Sequence, residues 1–150
     1  MKIQTFWRMP YKEKQLFFMN FCLCGIAKVA IQCLSYKRLS VYFGRSCQML
    51  VASTLISKEQ IQQVLTIRRA IALAARYTPW NSSCLIQALI AKFWCQRHHI
   101  PYLFFIGLAK KSNQPLRREA HAWITAGPIA VTGGHSLGTH QVICSYSNVL

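Results

Sequence analysis

Two residues of this sequence combine a reactive side chain with surroundings suited to acyl transfer, namely Cys84 and His121. Cys84 follows Asn-Ser-Ser at positions 81–83, and since Asn and Ser are favoured helix N-caps, we expect it in the first turn of a helix. A helix N-terminus stabilises a thiolate, the nucleophilic form of cysteine, and its amides can bind an oxyanion. His121 lies in Glu-Ala-His-Ala-Trp, on a predicted strand where it shares a face with Trp123. These features predict a thiolate–imidazole pair.

Other interpretations of the two residues stay open on spacing alone. The chain has seven cysteines, and a cysteine in an apolar sequence is more often a small buried hydrophobe than a nucleophile. A lone histidine on a strand is likewise more often structural. The separation of Cys84 and His121 permits contact between them but does not establish it.

Metal binding is a second chemistry open to cysteine and histidine. The cysteines within residues 22–33 lack the spacing of a zinc site, and His135, His140 and Cys144 are irregularly spaced beside a glycine-rich loop. We therefore expect neither a metal site nor a cofactor.

The elements that must position these residues follow from hydrophobic spacing, caps and breakers. Ser57 and Gln60 have the form of a capping box, so a helix should begin there and end near Arg76, before Pro79. Residues 110–118 are polar and predict a loop, and Gly133-Gly134 opens another. The other predicted elements are helices over 16–34 and from Cys84 onward, and strands over 102–109, 120–125, 129–132 and 141–146.

Helices precede strands along the chain, and this order predicts an α+β fold. We expect an N-terminal helical region over residues 1–56 and a core over residues 57–150, in which the helix carrying Cys84 packs on an antiparallel sheet.

Four short motifs resemble the lasso-peptide leader-peptidase family, the transglutaminase-like proteins that mature lasso peptides. The motifs are WNSSCLIQAL at 80–89, IG at 106–107, AHAW at 120–123 and VTGG at 131–134, and they occur in the family's order. The chain length is similar to the split form, in which the leader-binding domain is a separate protein. The resemblance implies a transglutaminase-like or papain-like core that cuts a precursor peptide at the leader–core junction, with Cys84 as nucleophile and His121 as general base. It also implies two partners, a separate leader-recognition protein and an ATP-dependent lasso cyclase.

The sequence departs from the wider superfamily in its third catalytic position, which is often an aspartate on the strand after the histidine. This chain contains no aspartate, and no acid follows Glu119. We expect a Cys–His dyad in which Thr132 or a backbone carbonyl on the same strand orients the imidazole. Trp80 could line the oxyanion hole through its indole N–H, or pack beneath the helix start.

The charge is strongly basic, with 18 Lys and Arg against Glu13, Glu59 and Glu119, for a formal charge of +15. Such a charge favours an anionic partner, but the cations are scattered, and we expect no nucleic acid among the partners. The apolar run 16–34 is nearly long enough to span a bilayer, yet Lys28 within it favours a helix lying on a core or on a membrane surface. The sequence therefore also predicts peripheral membrane contact.

Two further functions stay open beside leader cleavage. One is a non-catalytic basic module that binds anionic membrane or nucleic acid, and the other is acyl transfer from the same thioester to an amine. The odd number of irregularly spaced cysteines, without a secretory signal, favours a reducing cytoplasm and a protein that is cytoplasmic or membrane-associated.

Overall fold

The computed structural model describes residues 11–47, 54–111, 114–134 and 140–148 of the chain. Four helices lie within the described residues of its first two thirds. They are α1 (Tyr11–Cys33), α2 (Tyr36–Ser40), α3 (Lys58–Tyr77) and α4 (Cys84–Arg97). Three of them follow the sequence prediction, whereas α2 is a short helix that the hydrophobic pattern did not indicate.

The predicted capping box forms at the start of α3. The Ser57 hydroxyl accepts from the Gln60 amide (3.3 Å), and the Gln60 side chain accepts from the Ser57 amide (2.9 Å). Both hydrogen bonds satisfy amides that have no partner within the helix. The helix ends at Tyr77, one residue beyond the predicted end.

Helix α4 begins at Cys84, as the Asn-Ser-Ser sequence predicts. At its other end His99 adopts a left-handed conformation (φ 52°), and the Ile100 amide donates to the Cys95 carbonyl (2.8 Å). This bond closes the last turn, so that Pro101 can lead directly into the sheet.

Five strands form one antiparallel sheet with the order β1-β5-β2-β3-β4. The strands are β1 (Arg45–Ser46), β2 (Leu103–Lys111), β3 (Gln114–Ala126), β4 (Ile129–Thr132) and β5 (Gln141–Ser147). The predicted strands after residue 101 are confirmed, and the architecture is α+β as expected.

The prediction of a polar loop over residues 110–118 is wrong. Strand β2 continues to Lys111, β3 begins at Gln114, and Lys110 pairs with Arg118 in one long hairpin. Backbone hydrogen bonds hold such a hairpin and need no apolar side chains, so polar composition alone does not exclude a strand.

The two faces of the sheet are different. The helices pack on the face that carries Phe104, Ile106, Ala122 and Ile124, and this face belongs to the main core with buried residues of α3 and α4. The opposite face, here called the outer face, carries a small cluster of Leu103, Phe105 and Trp123, with Val142 against it. Because strand side chains alternate, neighbouring residues of β3 belong to different faces.

The region before residue 57 contributes directly to the sheet and its core. Strand β1 pairs with β5, and Phe43 stacks on Phe104 with ring centroids 4.7 Å apart. The Tyr102 hydroxyl donates to the Phe43 carbonyl (3.3 Å). The division into 1–56 and 57–150 stays a prediction, and these contacts join its two parts.

Candidate active site

Cys84 is the first residue of α4, and its side chain is half-buried. The preceding residue, Ser83, has the extended backbone of an N-cap, but its side chain makes no capping hydrogen bond. The amides in the first turn of α4 therefore do not donate to the Ser83 side chain, and they can donate to an anion that forms beside Cys84. The thiol thus lies at the positive end of a helix dipole.

The segment before Cys84 is held from both sides. Gln87 donates from Nε2 to the Ser82 carbonyl (2.9 Å), and the Ser82 hydroxyl lies 3.8 Å from Cys24 Sγ on α1. Thr78 Oγ1 lies within hydrogen-bond distance of the carbonyls of Ala75 and Trp80. These contacts fix the direction in which the chain enters α4, and with it the position of the thiol.

Trp80 packs toward α1. Its ring lies 5.5 Å from that of Phe21, its six-membered ring faces Gly25, and the Lys28 ammonium is 5.8 Å from its centroid. The indole Nε1 is buried and has no hydrogen-bond partner among the described residues. Trp80 therefore packs against α1, and its packing beneath the start of α4 and the oxyanion role of its N–H both stay predictions.

His121 lies on the outer face of the sheet together with Trp123. Their rings stack with centroids 6.2 Å apart and planes inclined by 25°, which confirms that the two side chains point the same way. A second histidine, His140, lies beside both, 5.2 Å from the His121 ring and 6.2 Å from Trp123. Sequence reasoning considered His140 only for metal binding, and no spacing signal places it next to His121.

Two glycines make room for these rings. A Cβ at Gly133 would lie 2.9 Å from His121 Nε2 and 2.7 Å from Trp123 Cβ, and Gly133 has a positive φ of 65°. A Cβ at Gly107, which pairs with His121 across β2 and β3, would lie 2.7 Å from the Trp123 ring. The buried Nε2 of His121 therefore points to the Gly133 backbone, just beyond the end of β4.

Thr132 is the last residue of β4 and pairs with Ile124. Its side chain is buried, and among the described residues its Oγ1 has no hydrogen-bond partner. Whether it orients His121 stays a prediction. The side chain of Glu119, the acid nearest to His121 in sequence, lies outside the part of the chain whose side chains are described.

The register places Cys84 and His121 on different sides of β3. Cys84 packs against the main core, which includes Ala122, whereas His121 lies with Trp123 on the outer face. Strand β4 pairs only with residues 124–126 of β3, so the edge beside His121 extends past the end of β4. An imidazole that meets the thiol must pass this edge, where Gly133 lies against Nε2.

The other cysteines have different surroundings. All seven are free thiols. Burial raises the pKa of Cys24, and it raises the pKa of Cys95 to about 12. Both therefore stay protonated and poorly nucleophilic near neutral pH. Within the described residues no group of three or more His, Cys, Asp or Glu side chains could hold a metal ion.

The chain was compared with protein families, curated proteins and solved structures. A family model described as "Transglutaminase-like superfamily" matches residues 30–145, which is more than half of the chain and includes both Cys84 and His121. No curated protein matches the chain, and no solved structure does.

Proposed function

The chain belongs to the transglutaminase-like superfamily, and on that premise we propose that it is the leader peptidase of a lasso-peptide precursor. The superfamily is papain-like, and its members are usually cysteine peptidases or transferases. The observation that carries the proposal is the position of Cys84, the first residue of a helix that packs on the strand bearing His121. The four motifs shared with leader peptidases support the choice of substrate.

The proposed reaction has two steps. The Cys84 thiolate attacks the carbonyl carbon of the last leader residue, and the first-turn amides of α4 bind the oxyanion. The scissile C–N bond then breaks, His121 gives a proton to the departing amine of the core peptide, and the leader remains on Cys84 as a thioester. Water attacks this thioester while His121 takes up a proton, and the leader leaves as a free acid.

The dyad requires the His121 imidazole to approach Cys84 around the edge of β3. Strand β4 ends at Thr132, and the absence of a side chain at Gly133 beside His121 Nε2 supports this route. We assign the orienting role to Thr132 and an oxyanion contact to the indole N–H of Trp80. Thr132 Oγ1 and Trp80 Nε1 are both buried. His140, next to His121, is a further candidate for holding the ring.

The proposal includes partners of this enzyme. A separate leader-recognition protein would present the precursor, and an ATP-dependent cyclase would close the ring on the freed core. The net charge of +15 would favour encounter with acidic surfaces of the leader or of these proteins.

A cleavage assay followed by mass spectrometry tests this function. The purified protein is mixed with a lasso precursor and its leader-binding protein, and wild type is compared with Cys84→Ala and His121→Ala. We expect wild type to release one leader fragment and both variants to lose at least about a hundredfold in rate. Cys144→Ala is the matched control, since Cys144 is another half-buried cysteine of the domain.

The products separate the alternative functions. A leader with a free carboxyl group indicates hydrolysis, whereas a leader joined to an added amine indicates acyl transfer. If Cys84→Ala cleaves as fast as wild type, the cysteine-peptidase proposal is wrong. If the wild-type protein does not cleave the precursor at all, the non-catalytic basic module is the function to pursue.

A further inference from the structure

Helix α1 is rich in apolar residues, and only one of its sides is buried. Its inner side carries the buried residues Phe17, Asn20 and Cys24. A stretch of it, Lys14–Cys33, is long and apolar enough to cross a membrane by length and composition, yet only 11% of the tested window is buried. An apolar surface of this kind, left open to water, indicates an interaction site.

The exposed side forms a continuous apolar stripe along α1. Ile26 is 65% exposed, Val29 57% and Phe18 56%, and Cys22 and Cys33 are exposed between and beyond them. Steps of three or four residues separate these positions, so they lie on one side of the helix. We call this set the α1 stripe.

A groove of about 240 Å³ continues the α1 stripe toward α2 and α4. Ile26 belongs to both the stripe and the groove, and the other exposed groove residues are Tyr42 (62%) and Phe93 (41%). Val41, next to Tyr42, is also exposed. The apolar surface therefore extends from one helix to the ends of two others.

Cations border this surface. Lys37 and Arg38 lie in the last turn of α2, are exposed, and precede Val41 and Tyr42 by four residues each. Of the three acids in the sequence, Glu59 is the one whose side chain is described, and it is held at the start of α3 by the Ser57 hydroxyl. An apolar surface with a basic border matches a bilayer rich in anionic lipid.

The internal contacts of α1 favour a helix that lies along the surface. Asn20 Oδ1 accepts from Trp94 Nε1 (2.8 Å) in the core, and Asn20 Nδ2 donates to the Leu16 carbonyl (2.8 Å). A helix that crossed the bilayer would break the bond to α4 and place a polar amide in hydrocarbon, which is costly. A second copy of the chain is a poor occupant, because two molecules of charge +15 repel each other.

We propose that the protein docks peripherally on anionic membranes through the α1 stripe and the groove beside it. Ile26 and Val29 enter the acyl boundary together with Tyr42 and Phe93, while Lys37 and Arg38 bind lipid phosphates. This docking is independent of the peptidase proposal, because it uses neither Cys84 nor His121.

Flotation of the full-length protein with lipid vesicles tests the proposal. We expect binding to vesicles that mix phosphatidylcholine with phosphatidylglycerol, little binding to phosphatidylcholine alone, and release as salt rises. Ile26→Asn with Val29→Asn, and separately Lys37→Gln with Arg38→Gln, should each weaken binding by about tenfold.

Matched controls keep the test specific. Leu55→Asn changes an apolar residue outside the stripe that is 96% exposed, and Arg68→Gln with Arg69→Gln removes two exposed charges from α3. Both controls should bind like wild type, and circular dichroism should show that all variants fold.

Three results would overturn the proposal. They are equal binding by stripe variants and wild type, no binding to anionic vesicles at low salt, and association that survives high salt and alkaline carbonate. The last result would indicate a membrane span. A stripe that instead holds a second copy would show as a dimer that the Ile26 and Val29 changes dissociate.

Discussion

The two candidate catalytic residues have different kinds of support. Cys84 lies at the start of α4, half-buried, with the first-turn amides of the helix available to a forming oxyanion. Cys24 and Cys95 are buried, and the raised pKa of each makes it a poor competitor. His121 is held between Trp123, His140 and the Gly133 backbone. At the scale of single residues, the position of the imidazole therefore depends on the room that these three neighbours leave beside it.

Gly133→Ala tests that dependence. A methyl group at Gly133 would lie 2.9 Å from His121 Nε2, and the positive φ adds a backbone cost of roughly 1–2 kcal/mol. We expect leader cleavage to fall by about tenfold or more because the imidazole is displaced. The assay is the cleavage rate, measured beside a thermal unfolding curve.

Gly134→Ala is the control, since the one contact of its new Cβ within the described residues is the Ala130 Cβ, at 3.2 Å, and Gly134 has no positive φ. It should cleave at a rate close to wild type. A folded Gly133→Ala protein with wild-type cleavage would show that the space beside Nε2 does not matter to the reaction.

At the scale of elements, caps, breakers and hydrophobic spacing predicted the helices and strands whose positions depend on neighbouring residues in the sequence. The capping box at Ser57, the start of α4 at Cys84 and the strands after Pro101 all formed where the sequence indicated. Strand β1 has only two residues and exists through its pairing with β5, far along the chain, so no local pattern marks it. The extension of β2 and β3 into residues 110–118 was missed because that stretch is polar.

The face of β3 that meets the helices could not be predicted either. Alternation puts His121 and Trp123 on one face and Ala122 and Ile124 on the other, and both sets can be buried. The choice between them is made by packing against α4, which involves residues distant in sequence. The sequence therefore indicated two candidate site residues but not their relative placement.

The α3 cap offers a prediction about stability at this scale. Ser57→Ala removes the acceptor for the Gln60 amide and should lower the free energy of unfolding by about 1 kcal/mol. Chemical denaturation measures the difference. Ser35→Ala is the control, since Ser35 is the N-cap of α2 but its side chain makes no capping bond. Equal losses in the two variants would contradict a specific role for the cap.

At the scale of the molecule, the proposed functions use different surfaces. The candidate active site uses the start of α4 and the strand β3, whereas the α1 stripe lies on the exposed side of the first helix. The contact of Cys24 with Ser82 links α1 to the segment that enters α4. A membrane-docked molecule would thus keep the cysteine helix fixed relative to the lipid surface.

The thioester on Cys84 is the central claim, and its capture is the most direct test. The protein is mixed with precursor and leader-binding protein, quenched in acid and analysed by intact and peptide mass spectrometry. The account predicts an adduct with the mass of the leader acid less one water, located on the peptide that contains Cys84 and absent from Cys84→Ala. Two results would contradict it. One is that the Cys84→Ala protein still releases the leader, and the other is an adduct on another cysteine.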